Sequence, residues 1–104
     1  RSARRVFSAR TARALRELLA SVVTEGTGHE AAPTEGTAAG KTGTAQTGQF
    51  AAGKELKNYW FAGFYPARNP RYTIVVLQDG QTGPSRTSAA IFAQVCDALD
   101  AAGE

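Results

Sequence analysis

Apolar residues return every three or four positions early in the chain, at Ala12, Leu15, Leu18, Leu19, Val22 and Val23. That spacing lays side chains along one stripe of an α-helix. Ser8 stands where an N-cap belongs and Gly26 where a helix stops, so the pattern predicts a helix over Ala9–Thr24. From Gly26 to Gly36 glycines, Pro33 and small polar residues replace the periodicity, which predicts a loop. Ala38–Gln46 alternates small residues with threonine, suiting a strand that leaves room beside it. Asn58–Tyr65 is aromatic-rich and stops before Pro66; Tyr72–Gln78 follows Asn69-Pro70-Arg71 and runs into Asp79-Gly80. Both read as strands, and their short connection implies an antiparallel hairpin. Last, Ser85 or Thr87 can cap a helix that carries Ile91, Phe92, Val95, Cys96 and Leu99 on one face.

The order helix, strand, strand, strand, helix predicts an α+β fold: a three-stranded antiparallel sheet with flanking helices. Phe61 and Cys96 are expected in its core, with Tyr59 and Trp60 beside Phe61 as further core aromatics. Bulky groups on both faces of the Asn58–Tyr65 strand call for cover on the second face, and no other segment is predicted to supply it.

With 104 residues the chain makes one small domain or a slice of a larger one. Its net charge of +3 is local: Arg1, Arg4, Arg5, Arg10, Arg13 and Arg16 precede the first acid, and the remainder is net acidic. Arg13 and Arg16 share a helix with an apolar stripe and no aromatics interleave with the arginines, which describes a solvated face and argues against nucleic acid as a partner. No apolar run reaches the roughly 18 residues of a membrane span, and no signal-peptide core follows the first arginines. Cys96 is the single cysteine and His29, in the polar loop and expected to be exposed, the single histidine. Neither an internal disulfide nor a zinc site is expected, and no metal or cofactor is implied.

The most specific feature is Gly40-Lys41-Thr42-Gly43-Thr44-Ala45-Gln46. A phosphate-binding loop needs four residues between its first glycine and Gly-Lys, then a helix. Here Gly36 leaves three, Glu35 occupies the required glycine position, and Thr-Gly-Thr-Ala-Gln-Thr-Gly follows. The competing reading is the Lys-Thr-Gly strand of serine penicillin-recognising enzymes. It places a cation, two hydroxyls and a bare glycine on an edge along which an extended substrate can pair.

Around this tetrad the chain resembles the class B penicillin-binding proteins, over the C-terminal part of their transpeptidase domain. The resemblance runs through Val22-Val23, Gly26-Thr27-Gly28 and Ala31, then Ala39 to Gln46, Trp60-Phe61-Ala62-Gly63-Phe64, and Ala89-Ala90-Ile91-Phe92. It implies the serine β-lactamase/transpeptidase-like fold and a parent that cross-links peptidoglycan stem peptides through an acyl-serine and binds β-lactams. Lys41 would hold the carboxylate of a D-Ala-D-Ala stem peptide or β-lactam and contact the serine of a separate Ser-x-Asn motif. At about 4 Å and an effective dielectric of about 20 such an attraction is on the order of 4 kcal/mol before desolvation. Thr42 and Thr44 would bind the same carboxylate, Gly43 would leave space for the ligand's backbone, and the Thr44 backbone N–H would be one oxyanion-hole donor. The implied location is the extracytoplasmic face of the bacterial cell membrane, through a membrane-anchored parent.

A complete enzyme of this kind also needs Ser-x-x-Lys and Ser-x-Asn. Three positions after Ser2, Ser8, Ser21, Ser85 and Ser88 stand Arg5, Thr11, Thr24, Ser88 and Ile91, and two positions after stand Arg4, Arg10, Val23, Thr87 and Ala90. Neither pattern is met. Residues 1–104 are therefore expected to be the C-terminal portion of a transpeptidase domain, inactive alone and partnered by the missing N-terminal part. The alternative is a non-catalytic binding or assembly module of the same fold. An isolated fragment could also dimerise to hide its open sheet face.

Overall fold

The computed structural model describes residues 3–103; Arg1, counted in the basic cluster, and Ser2, weighed as a nucleophile, lie outside the described residues. Helix α1 spans Ala9–Glu25. The Ser8 hydroxyl accepts from the Thr11 N–H at 3.1 Å, and the Gly26 N–H closes the last turn on the Val22 carbonyl at 3.1 Å. The start falls where the sequence places it and the end one residue later, at Glu25 instead of Thr24, because each is set by a local cap. The loop that follows contains one unforeseen 3-10 turn, His29–Ala31, with His29 exposed on it.

Three strands follow in chain order, β1 over Ala39–Ala51, β2 over Lys54–Tyr65 and β3 over Tyr72–Gln81, forming an antiparallel sheet of order β1-β2-β3. All three are longer than expected. Ala51 pairs with Lys54 around a turn in which Ala52 and Gly53 both have positive φ, 52° and 79°. Such a two-residue turn normally announces itself as Asn-Gly or Asp-Gly, and Ala at its first position hides it. β1 crosses an irregularity at Thr47-Gly48-Gln49, where the Thr47 hydroxyl donates to the Leu56 carbonyl at 2.5 Å and the Gly48 N–H to Glu55 Oε2 at 3.0 Å. β3 continues through Asp79-Gly80, the expected stop, because both residues oppose Asn58 in a bulge held by the Gly80 N–H on Asn58 Oδ1 at 2.8 Å. After β2 the Tyr65–Pro66 peptide is cis.

Helix α2, Ser88–Ala101, starts at Thr87, whose hydroxyl accepts from the Ala90 N–H at 3.1 Å; Ser85 takes no part in this cap. Because side chains alternate across a strand, Phe61 faces α2, where its ring meets Phe92 at a centroid distance of 4.6 Å. Val23, Ala31, Ala38, Tyr65, Ala89 and Cys96 complete this core, with Ile74 and Val76 packed on it. Burial of Cys96 and Phe61 agrees with the sequence. The other face carries Trp60, Val75 and Leu77 at 36, 65 and 59 % exposure, so among the described residues it has no cover.

Candidate active site

Two aromatics of β2 set the path of the Lys41-Thr42-Gly43-Thr44 tetrad. Gly40 pairs with Gly63 and Gly43 with Trp60. A Cβ at Gly40 would run into the Phe61 ring and the Ala62 carbonyl oxygen; one at Gly43 would run into the Trp60 indole. The two glycines thus sit over aromatics on opposite faces of the sheet. Between them Lys41 and Thr42 keep ordinary side chains.

The loop that delivers the chain into β1 is anchored from behind. The Asp97 carboxylate accepts from the Thr34 N–H at 2.8 Å and the Thr34 hydroxyl at 2.9 Å. The Tyr65 hydroxyl lies 2.8 Å from the Glu35 carbonyl oxygen and 2.6 Å from Asp100 Oδ2, and the Ala67 N–H donates to the Thr37 carbonyl at 2.6 Å. Burial, followed by the hydrogen bond and charge of Asp100, pushes the Tyr65 phenol above its ordinary range.

β1 is an edge strand, so one side of its backbone is unpaired by β2. Lys41 is exposed there, its Nζ 3.4 Å from the Thr42 carbonyl oxygen and 3.5 Å from Thr42 Oγ1. Thr42, Gly43 and Thr44 line a cavity of about 260 Å³ together with Thr27 and Glu30 before β1, Tyr59 and Trp60 of β2, and Pro84, Thr87, Ser88 and Ala89 at the start of α2. Lys41 is not part of that lining. The cavity's far wall is a hydrogen-bonded clamp: the Thr87 hydroxyl donates to Glu30 Oε1 at 2.9 Å, and the buried Ser88 hydroxyl donates to the Tyr59 carbonyl at 3.0 Å while accepting from Gln78 Nε2 at 3.2 Å.

The structure therefore brings Thr42, Gly43 and Thr44 into one hollow and keeps Lys41 on the adjoining edge. The expectation of a core role holds for Phe61 only. Tyr59 is half-buried and Trp60 exposed, and both line the cavity. Glu30 and Ser88 carry no signal in the sequence, since each is an ordinary polar residue until the fold places it. A larger cleft of about 670 Å³, between α1 and the turn after β2, contains none of the tetrad; volume alone does not mark the chemistry. The glycine-lysine-threonine run lies in a strand and not at a helix start, which removes the phosphate-loop reading.

The family description "Penicillin binding protein transpeptidase domain" matches residues 1–97. Penicillin-binding protein PbpB of Mycolicibacterium smegmatis is 38 % identical over 91 % of this chain and 17 % of its own length. The probable peptidoglycan D,D-transpeptidase PenA of Neisseria meningitidis is 39 % identical over 76 % of this chain and 14 % of its own length. The transpeptidase domain of Burkholderia pseudomallei penicillin-binding protein 3 superposes with a TM-score of 0.80 at 35 % identity, covering 97 % of this chain and 33 % of that one. The chain thus spans under a fifth of these curated relatives and a third of the solved domain.

Proposed function

Because the chain belongs to the penicillin-binding protein transpeptidase family, we propose that it supplies the Lys-Thr-Gly wall of a peptidoglycan D,D-transpeptidase, as the C-terminal portion of that domain within a longer polypeptide. The observation that carries this reading is the position of the tetrad: a free sheet edge beside a hollow lined by Thr42, Gly43 and Thr44.

In this reading a stem peptide ending in D-Ala-D-Ala lies extended along β1 and pairs with its outward backbone groups. Lys41 and the hydroxyls of Thr42 and Thr44 hold its terminal carboxylate through charge-assisted hydrogen bonds. A serine from the remainder of the polypeptide adds to the penultimate carbonyl carbon, and the carbonyl electron pair moves onto oxygen. The Thr44 backbone N–H and the serine's own N–H stabilise that oxyanion. Collapse expels D-alanine, whose amine nitrogen takes up the proton that the serine hydroxyl gave up, and leaves an acyl-serine ester, which the amine of a second stem peptide then displaces as its own proton passes back to the serine oxygen. A β-lactam enters the same course and stops at the ester. These residues act at the extracytoplasmic face of the membrane, reached through segments outside the chain. Within the described residues no helix is long and apolar enough to cross a membrane.

Lys41→Ala in the full polypeptide is expected to slow acylation by a tagged penicillin about 10- to 100-fold, the loss of one charge-assisted contact. Unchanged acylation would overturn the role of Lys41. Capture of penicillin-labelled protein from source-cell membranes is the companion test. Peptides spanning Gly40–Gln46 belong in a large labelled polypeptide, and their recovery only in an unlabelled species of this length would favour the non-catalytic module.

A further inference from the structure

Gly43 carries the inference. The family resemblance assigns its missing side chain to the passage of a ligand, yet a Cβ there would overlap Nε1, Cε2 and Cζ2 of Trp60 within the protein itself. Gly43 and Trp60 are directly paired across β1 and β2, and directly paired residues share a face of the sheet. The Nε1 edge of the indole therefore lies against the Gly43 backbone, an aromatic ring filling the space of a cross-strand glycine. Trp60 is 36 % exposed and stands on the face opposite the Phe61 core. It also borders the hollow that holds Thr42 and Thr44. On that face Trp60 is paired with Leu77 of β3 on one side and with Gly43 of the tetrad on the other.

We propose that Trp60 is a positioning residue for the tetrad, and that Gly43 is bare to admit the indole. The inference rests on the transpeptidase reading and deepens it. The ring bears on the peptide unit immediately before the Thr44 N–H, the donor assigned to the oxyanion. Displacing it moves that donor while leaving the Lys41 ammonium and the threonine hydroxyls in place. The effect belongs to the acylation step and not to the first, non-covalent encounter with ligand. Ring bulk is what matters, so phenylalanine serves in place of tryptophan.

The test is a double-mutant cycle in the full polypeptide, reading the saturating acylation rate and the initial affinity for a β-lactam, with thermal stability recorded for every variant. Trp60→Ala is expected to lower the acylation rate about tenfold, in keeping with the sensitivity of such steps to small displacements, with affinity changed less than about twofold. Trp60→Phe is expected to stay near the parent. Gly43→Ala alone is expected to cost about a hundredfold, whereas Gly43→Ala with Trp60→Ala recovers to about the level of Trp60→Ala. If Gly43→Ala costs the same whether or not Trp60 is present, the glycine is bare for the ligand and the inference is overturned. It is equally overturned if Trp60→Ala changes affinity and not rate, or if Trp60→Phe is as slow as Trp60→Ala. If Gly43→Ala does not fold, the contrast between Trp60→Ala and Trp60→Phe decides. The unmutated polypeptide and Lys41→Ala separate the two levels: if the former is not acylated by a β-lactam at all, the transpeptidase reading falls, and if it is acylated and Lys41→Ala alone is slow, only the role of Trp60 does.

Discussion

Cys96 is fully buried against the Phe61–Phe92 core, and its thiol is pushed up to about 11 by burial first and by the Asp100 and Asp97 charges second. Thiolate is the reactive form, so at pH 8 the folded chain is expected to resist alkylation and to react only as it unfolds. Rapid labelling without loss of structure would contradict the assigned burial. Tyr65, raised by its own burial and by Asp100, acts in the same sense. A group whose folded pKa exceeds its unfolded value contributes stability that is complete below the unfolded pKa and lost as pH rises. For Cys96 that window runs from about 9 to about 11, with Tyr65 adding to the loss above its ordinary range. Urea midpoints are expected to be flat up to about pH 8 and to fall above about pH 9, less steeply in Cys96→Ala.

The start of α2 is the element on which the cavity wall depends. Thr87 both caps the helix through the Ala90 N–H and donates to Glu30, joining a helix end to the turn before β1. Thr87→Ala removes cap and link together and is expected to destabilise the chain by about 1–2 kcal/mol, with Thr87→Ser restoring most of it. Denaturant unfolding reads this directly, and a cost within about 0.5 kcal/mol would mean that water replaces the hydroxyl at this end. Elements such as this are visible in sequence because caps are local. Ser8 and Gly26 bound α1, and Thr87 is one of two candidate caps for α2. The β1–β2 hairpin is not visible, since Ala52 occupies a left-handed position that its side chain disfavours.

At the scale of the whole molecule, the described residues cover the sheet on one face only. Phe61, Ile74 and Val76 meet the helices, whereas Trp60, Val75 and Leu77 meet solvent among the described residues. Such a face is unstable against association in water. The chain on its own is expected to self-associate through it, and Val75→Lys with Leu77→Lys to restore a monomer. Sedimentation over a wide concentration range tests this, and a monomer throughout would show that the face tolerates exposure. Within the intact domain the same face is expected to be occupied, so there the two lysines would reduce stability.

Order and type of the main elements, the caps of both helices, the Phe61 and Cys96 core positions and the Lys41–Thr44 strand are all readable along the chain. Each depends on neighbours within a few residues: a period of 3.6 or 2, a capping hydroxyl, a glycine after a lysine and threonine. The meaning of Gly43 is not readable there, because its constraint comes from Trp60, seventeen positions away and adjacent only through the pairing of β1 with β2. The same is true of Trp60, a core residue by its sequence surroundings until the register places it on the open face, and of Glu30 and Ser88, which become part of a cavity only when α2 packs behind the sheet. Local spacing selects which backbone forms; which side chains then meet is settled by strand register and helix packing, whose energy lies in contacts between segments that are distant along the chain.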